Sequence, residues 1–346
     1  ALAAVRPNTE TLFTSTDPVA AMEQLEQRLS LTIIDQTENG VDLDALRALE
    51  TAVNYLSADL VREVSQRIDQ RYGVPVEIRF TDPSGQSYVG LTSLVVRPSG
   101  SYCAVELVAD PSALPDPGTI LHELCHLINF AMLDEQSVNP LFSIFSTLNE
   151  GIPYQSDYPS ENVLSWRDYV DQLGLAPTRY FVQDYATLNA YEDFACLFQS
   201  IAHSSEWWEQ RLLRNDYAPL RAKYTAAVDA LERSFSSGSQ SPLTDLFPAD
   251  WAVEEWQRAK ALGLVPDALD RAYESPITRE EFCQLMVQLL AVFWKEDPAV
   301  RLSSQAIDVT RSPFPDTDSV AVTILYALGA VDGRPDGCFD PDASIT

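Results

Sequence analysis

The chain has 346 residues, with 51 acidic and 23 basic side chains and a formal net charge of −28. Its 46% hydrophobic and 10% aromatic content can fill a sizeable core, which excludes global disorder, and its length suits two domains better than one. A surface this acidic repels phosphate backbones and anionic lipid, so nucleic acid and membrane headgroups are poor partners.

No apolar run approaches the roughly 18 residues needed to span a bilayer. Ala1-Leu2-Ala3-Ala4 fits the remnant of a cut at a small-residue site as well as an arbitrary start. The five cysteines, Cys103, Cys125, Cys196, Cys283 and Cys338, are odd in number and widely spaced, unlike a disulfide framework.

In chain order, Val41–Tyr72 reads as helix. Leu43, Leu46, Leu49, Val53, Leu56, Leu60, Val64 and Ile68 recur at three- and four-residue steps, and Gly73 stops the run. Residues 74–80 and 101–108 alternate as strands, the second a candidate edge strand against which an extended peptide could lie. Pro111, Pro115, Pro117 and Gly118 precede an apolar helix expected over Thr119–Leu133, with Thr119 as its N-cap. Further helices are expected at Glu161–Gln172, Asn189–Ala202 and Trp207–Phe235. Ser234-Phe-Ser-Ser-Gly-Ser-Gln-Ser241, followed by Pro242, has linker composition.

An internal repeat follows. Phe247-Pro-Ala-Asp-Trp-Ala252 precedes a helical stretch ending Ala261-Leu-Gly-Leu-Val265, and Phe314-Pro-Asp-Thr-Asp318 precedes one ending Ala327-Leu-Gly-Ala-Val331. Pro276-Ile-Thr278 aligns with Ser344-Ile-Thr346. The first copy continues into an apolar helix at Arg279, whereas the second stops, so the array is expected to run beyond the given sequence.

His122-Glu123-Leu124-Cys125-His126 carries the chemistry. Residues four apart share one helix face, so the two imidazoles can converge on one zinc ion, with Glu123 placed to take a proton from water. The plain alternative is two surface histidines on a helix, but this helix is apolar, where unpartnered imidazoles would be costly. A catalytic zinc needs a third protein ligand. His203 stands after a helix with no motif around it; Glu192 opens an apolar helix, and Glu150 precedes a glycine-proline turn. Asp193 and Asp184 could orient a ligand histidine or simply be solvated. Cys125 and Cys196 read as small packing residues.

The pattern resembles the Glu-liganded zincin metallopeptidases. Tyr185, seven residues before Glu192 in Tyr191-Glu-Asp-Phe-Ala195, resembles the lethal factor catalytic domain family. That resemblance, over roughly Thr119–Ile201, implies Glu192 as third ligand and Tyr185 as donor to a transition-state oxyanion. Cys196 departs from it, standing where a second acidic residue often occurs. Leu148-Asn-Glu-Gly151 instead resembles the zinc aminopeptidases, though Glu150 lies farther from His126 than their pattern has it.

Phe247–Ala252, Gly333–Pro341 and Ile277–Phe282 resemble the opening, middle and closing signatures of S-layer homology repeats. This implies helical modules that hold secondary cell-wall polymer, with Asp250, Trp251 and Arg279 at the polymer pocket. The first copy lacks the glycine-rich middle signature and the second lacks the opening Trp.

The expected fold class is α+β. A zincin-like domain of small sheet and active-site helices spans 1–235, a linker 236–246, and an all-α S-layer homology region 247–346. The expected protein is a secreted, wall-anchored zinc metallopeptidase acting on peptide or protein. Its rivals are an inactive zincin-like binding module displayed on the surface, and a display protein whose repeats are its main function.

Overall fold

A computed structural model of the chain describes residues 7–83, 89–97, 100–109, 116–134, 138–155, 179–203, 217–242, 252–266, 269 and 277–345. The chain divides into two compact units, the first ending at Thr244 and the second starting at Asp245. It is a mixed α/β protein with a small four-stranded sheet in the first unit.

The first unit opens with α1 (Pro18–Leu29) and β1 (Thr32–Gln36). The long pattern over Val41–Tyr72 is two helices, α2 (Leu43–Leu56) and α3 (Ala58–Tyr72). Ser57 separates them. Its backbone turns to φ 75° and its hydroxyl accepts from Leu60 N at 3.2 Å, capping α3. The apolar spacing carries across this corner, which is why periodicity alone reads it as one rod.

Next come β2 (Val76–Thr81), β3 (Gly90–Val95) and β4 (Tyr102–Val108). The sheet order is β1-β2-β4-β3, with β3 antiparallel to β4 and the other pairs parallel. This corrects the edge-strand expectation. β4 is interior, paired on both sides, and among the described residues the edges are β1 and β3, neither of which the sequence pattern announces.

α4 (Pro117–Ala131) starts two residues earlier than expected. Asp116, not Thr119, is its N-cap, accepting from the Gly118 and Thr119 N–H groups, and Pro117 suits the first helical position. The helix packs against α2, α3, β3 and β4 and is buried nearly all round, as an uninterrupted apolar run requires. α5 (Leu141–Leu148), α6 (Ala190–His203) and α7 (Ala218–Ser234) are the unit's remaining helices among the described residues, with α6 also against α4. The helix expected over Glu161–Gln172 and the first ten residues of that expected over Trp207–Phe235 lie outside the described residues.

The polar stretch after α7 is anchored at its start. Glu63 accepts from the backbone N–H groups of Ser236 and Ser237, each at 3.0 Å, and the Ser241 hydroxyl donates to the Tyr55 carbonyl.

The second unit contains α8 (Val253–Ala261), α9 (Arg279–Trp294), α10 (Pro298–Ser304) and α11 (Val320–Ala327). The sequence repeat is a structural one. Gly263 and Gly329 each turn left-handed just past α8 and α11, at φ 70° and 69°, a conformation open to glycine. The residue after each glycine donates back to the helix, Leu264 to Ala259 and Ala330 to Leu325, at 2.9 Å. The two copies also meet: Thr278 and Ser344 form an antiparallel bridge. Gly333 lies against Phe314, where a Cβ would come within 2.4 Å of the ring. Gly333→Ala is expected to push Phe314 out of the cluster it forms with Cys283, Val322, Leu325 and Phe339. The expected cost is about 1–3 kcal/mol in chemical denaturation of this unit.

Candidate metal centre

α4 and the first turn of α6 build the site. His122 and His126 are one turn apart on α4, and their Nε2 atoms stand 3.2 Å from each other. Glu192 Oε2 lies 3.0 Å from His122 Nε2 and 3.4 Å from His126 Nε2. Asn189 holds the carboxylate's backbone in place as N-cap of α6, its Oδ1 accepting from Tyr191 N and Glu192 N at 2.9 and 3.0 Å. All three side chains are buried.

Three donors bound at about 2.0–2.1 Å in a tetrahedron stand about 3.3 Å apart. The observed 3.0, 3.2 and 3.4 Å separations match that geometry, so the buried group can hold a small metal ion without rebuilding. Glu192, not Glu150, joins the histidines. Glu150 accepts from the Tyr180 hydroxyl at 2.6 Å.

Electrostatics suit a cation. Burial raises the Glu192 carboxyl, but hydrogen bonds and charge from His122 and His126 outweigh it and hold it down to about 2. Burial lowers His126, yet its hydrogen bond to Glu192 and the charges of Glu192 and Glu123 leave it raised. A metal must therefore displace a proton from His126 below that raised pKa, while Glu192 is already ionised. Affinity is expected to fall about tenfold per pH unit below it, as measured by chelator competition.

Glu123 is buried beside the pair, held by the β3 edge: the Thr92 hydroxyl donates to Glu123 Oε2 at 2.7 Å. Gly90, two residues away on the same face, leaves the room; a Cβ there would stand 2.7 Å from Glu123 Cγ. Neither residue carries a signal in the sequence, since their contact with Glu123 spans 31 residues for Thr92 and depends on an unannounced strand. Tyr185, in the single helical turn Asp184–Thr187, borders the same space, its ring 6.0 Å from that of His122. Burial and nearby Glu192 raise its phenol pKa, so it stays protonated. The site opens into a cleft of about 1020 Å³, walled by Val89, Leu91 and Leu94 on one side and by Phe130 and Tyr191 among others.

Asp193 does not orient a histidine. It accepts from Lys223 Nζ at 2.5 Å and from the Tyr154 hydroxyl at 2.8 Å. Lys223 is the one lysine before residue 236, a signal the sequence did offer. Cys125 and Cys196 are buried free cysteines, and burial keeps both thiols protonated. His203 is the last residue of α6. Asp250 and Trp251 lie outside the described residues, while Arg279 donates to the Phe339 and Asp332 carbonyls.

The fold and site thus define a mixed α/β protein with a buried His-His-Glu group able to bind a metal ion. No known family model matches the chain. Over 143 residues, 40% of its length, it is 27% identical to cell surface glycoprotein 1 of Acetivibrio thermocellus, and the match spans 6% of that protein. Among the described residues no helix is long and apolar enough to cross a membrane.

Proposed function

We propose that the chain is a cell-surface zinc metallopeptidase, with a peptidase unit over 1–235 and wall-polymer-binding repeats over 247–346. The observation that carries this reading is the tetrahedral spacing of His122, His126 and Glu192 beside a buried Glu123. Zinc bound there would polarise a scissile carbonyl and make water easier to deprotonate. Glu123 takes the proton from the attacking water and passes it to the leaving amine. The Tyr185 hydroxyl donates to the oxyanion that develops on the carbonyl. β3 presents an edge without a strand partner among the described residues, where an extended peptide can add as a further strand. Distant kinship to a cell surface glycoprotein supports the location, and the second unit, with Arg279, is the proposed wall-facing part.

The test is metal content and peptide hydrolysis by the whole chain. One zinc per chain, with hydrolysis lost on chelation and regained with zinc, is expected; a metal-free protein overturns the reading. Zinc without turnover assigns the chain to the binding-module alternative. Gly90→Ala is expected to displace Glu123 and lower kcat/KM roughly 10²-fold at unchanged zinc content, since small misplacements of a reacting group are that costly.

A further inference from the structure

Glu192, Cys196 and Gln199 fall at i, i+4 and i+7 on α6 and so share one face, turned toward His122. Gln199 Oε1 lies 3.2 Å from His122 Nδ1, the ring nitrogen away from the metal group. Gln183, just before the turn that carries Tyr185, donates from Nε2 to the same Gln199 oxygen at 3.3 Å and to Cys196 Sγ at 2.9 Å. Cys196 Sγ is 3.9 Å from Nδ1 and is a weak acceptor.

We propose that Gln199, oriented by Gln183, is a positioning residue that accepts the Nδ1–H of His122 and so turns the Nε2 lone pair toward the metal position. This deepens the metal-centre reading above and rests on it. An amide oxygen only accepts, so the proton in the Gln199 contact belongs to Nδ1. The opposite ring nitrogen, His122 Nε2, faces Glu192 Oε2 at 3.0 Å and His126 Nε2 at 3.2 Å, on the side where the three candidate ligand atoms converge. With Nδ1 tied to Gln199, the ring plane is set so that Nε2 points into that group. The Gln183 N–H fixes which end of the Gln199 amide faces the ring, because a flipped Gln199 would point its own N–H₂ at that donor. Gln199 Oε1, at 3.2 Å against 3.9 Å for Cys196 Sγ, is the nearer and the stronger acceptor within reach of Nδ1.

The experiment measures zinc affinity of the full chain by competition with a chromophoric chelator at fixed pH. Wild type is compared with Gln199→Met, Gln199→Glu and Gln183→Met, and metal-free thermal midpoints show that each variant folds. Gln199→Met keeps the length but not the acceptor, and is expected to bind zinc about 10–100-fold more weakly. Gln199→Glu keeps an acceptor and is expected to bind at least as tightly as wild type. Gln183→Met is expected to show a smaller loss in the same direction. In the zinc-loaded protein, the Nδ1 proton of His122, one of three histidines, should give an exchange-protected downfield resonance that Gln199→Met loses. Wild-type affinity in Gln199→Met, or equal losses in Gln199→Met and Gln199→Glu, overturns the proposal while leaving the metal centre standing. If Gln199→Met does not fold, the Gln199→Glu affinity and the wild-type resonance decide it. A wild type that binds no zinc overturns the metal centre itself.

Discussion

Glu123→Gln is expected to retain one zinc per chain and to lower kcat by about 10²–10⁴, the contribution of a positioned general base. Gln matches Glu in shape, and the Thr92 hydroxyl can still donate to its amide oxygen, so the side chain should keep its place. What it loses is the ability to take a proton. Glu123 is not one of the three metal-facing groups, which is why metal content and turnover should separate. Zinc analysis together with steady-state peptide hydrolysis reads both quantities. A Glu123→Gln variant with wild-type kcat would remove Glu123 from the mechanism; one that loses zinc would make the residue structural.

Lys223→Met carries the largest expected effect on stability, a loss of about 3–5 kcal/mol in urea denaturation. The Lys223 side chain is fully buried, with Nζ donating to the Tyr180 carbonyl at 2.7 Å and to Asp193 at 2.5 Å, and standing 4.2 Å from the centre of the Phe181 ring. Burial lowers the Lys223 ammonium and raises the Asp193 carboxyl, so each depends on the other to stay charged. Methionine fills a similar volume but leaves the buried Asp193 without its cation. Adding Asp193→Asn removes the stranded charge, and the double variant should recover a large part of the loss; the coupling is read from a double-mutant cycle. A single-variant cost below about 1 kcal/mol would show that the pair contributes little beyond its volume. Asp193 is adjacent to Glu192, so the same loosening should also weaken metal binding.

Both predictions concern groups of different legibility. His122, Glu123 and His126 are readable because helix geometry converts a spacing of four residues into neighbouring side chains, whatever the rest of the fold does. The repeated helix ends at 261–265 and 327–331 are readable for a related reason: like segments fold alike, down to the left-handed glycines at 263 and 329. The break at Ser57 was not, because both helices keep the same apolar phase on either side of it. Nor was β3, a short edge strand whose partners lie in β4.

By itself, then, the sequence determined the local matters: an acidic chain, the apolar helix bearing the histidine pair, and the helix opened by Glu192. The tertiary structure decided which carboxylate completes the group, since Glu192 is 70 residues from His122 and reaches it only because α4 and α6 pack together. It also decided that β4 is interior and β3 an edge among the described residues, that Gly90 and Thr92 hold Glu123, and that Asp193 serves Lys223. The physical reason is common to all of these. Spacing along a helix has one geometric meaning, but a contact across tens of residues depends on how whole elements bury their apolar faces, and no short stretch of sequence encodes that.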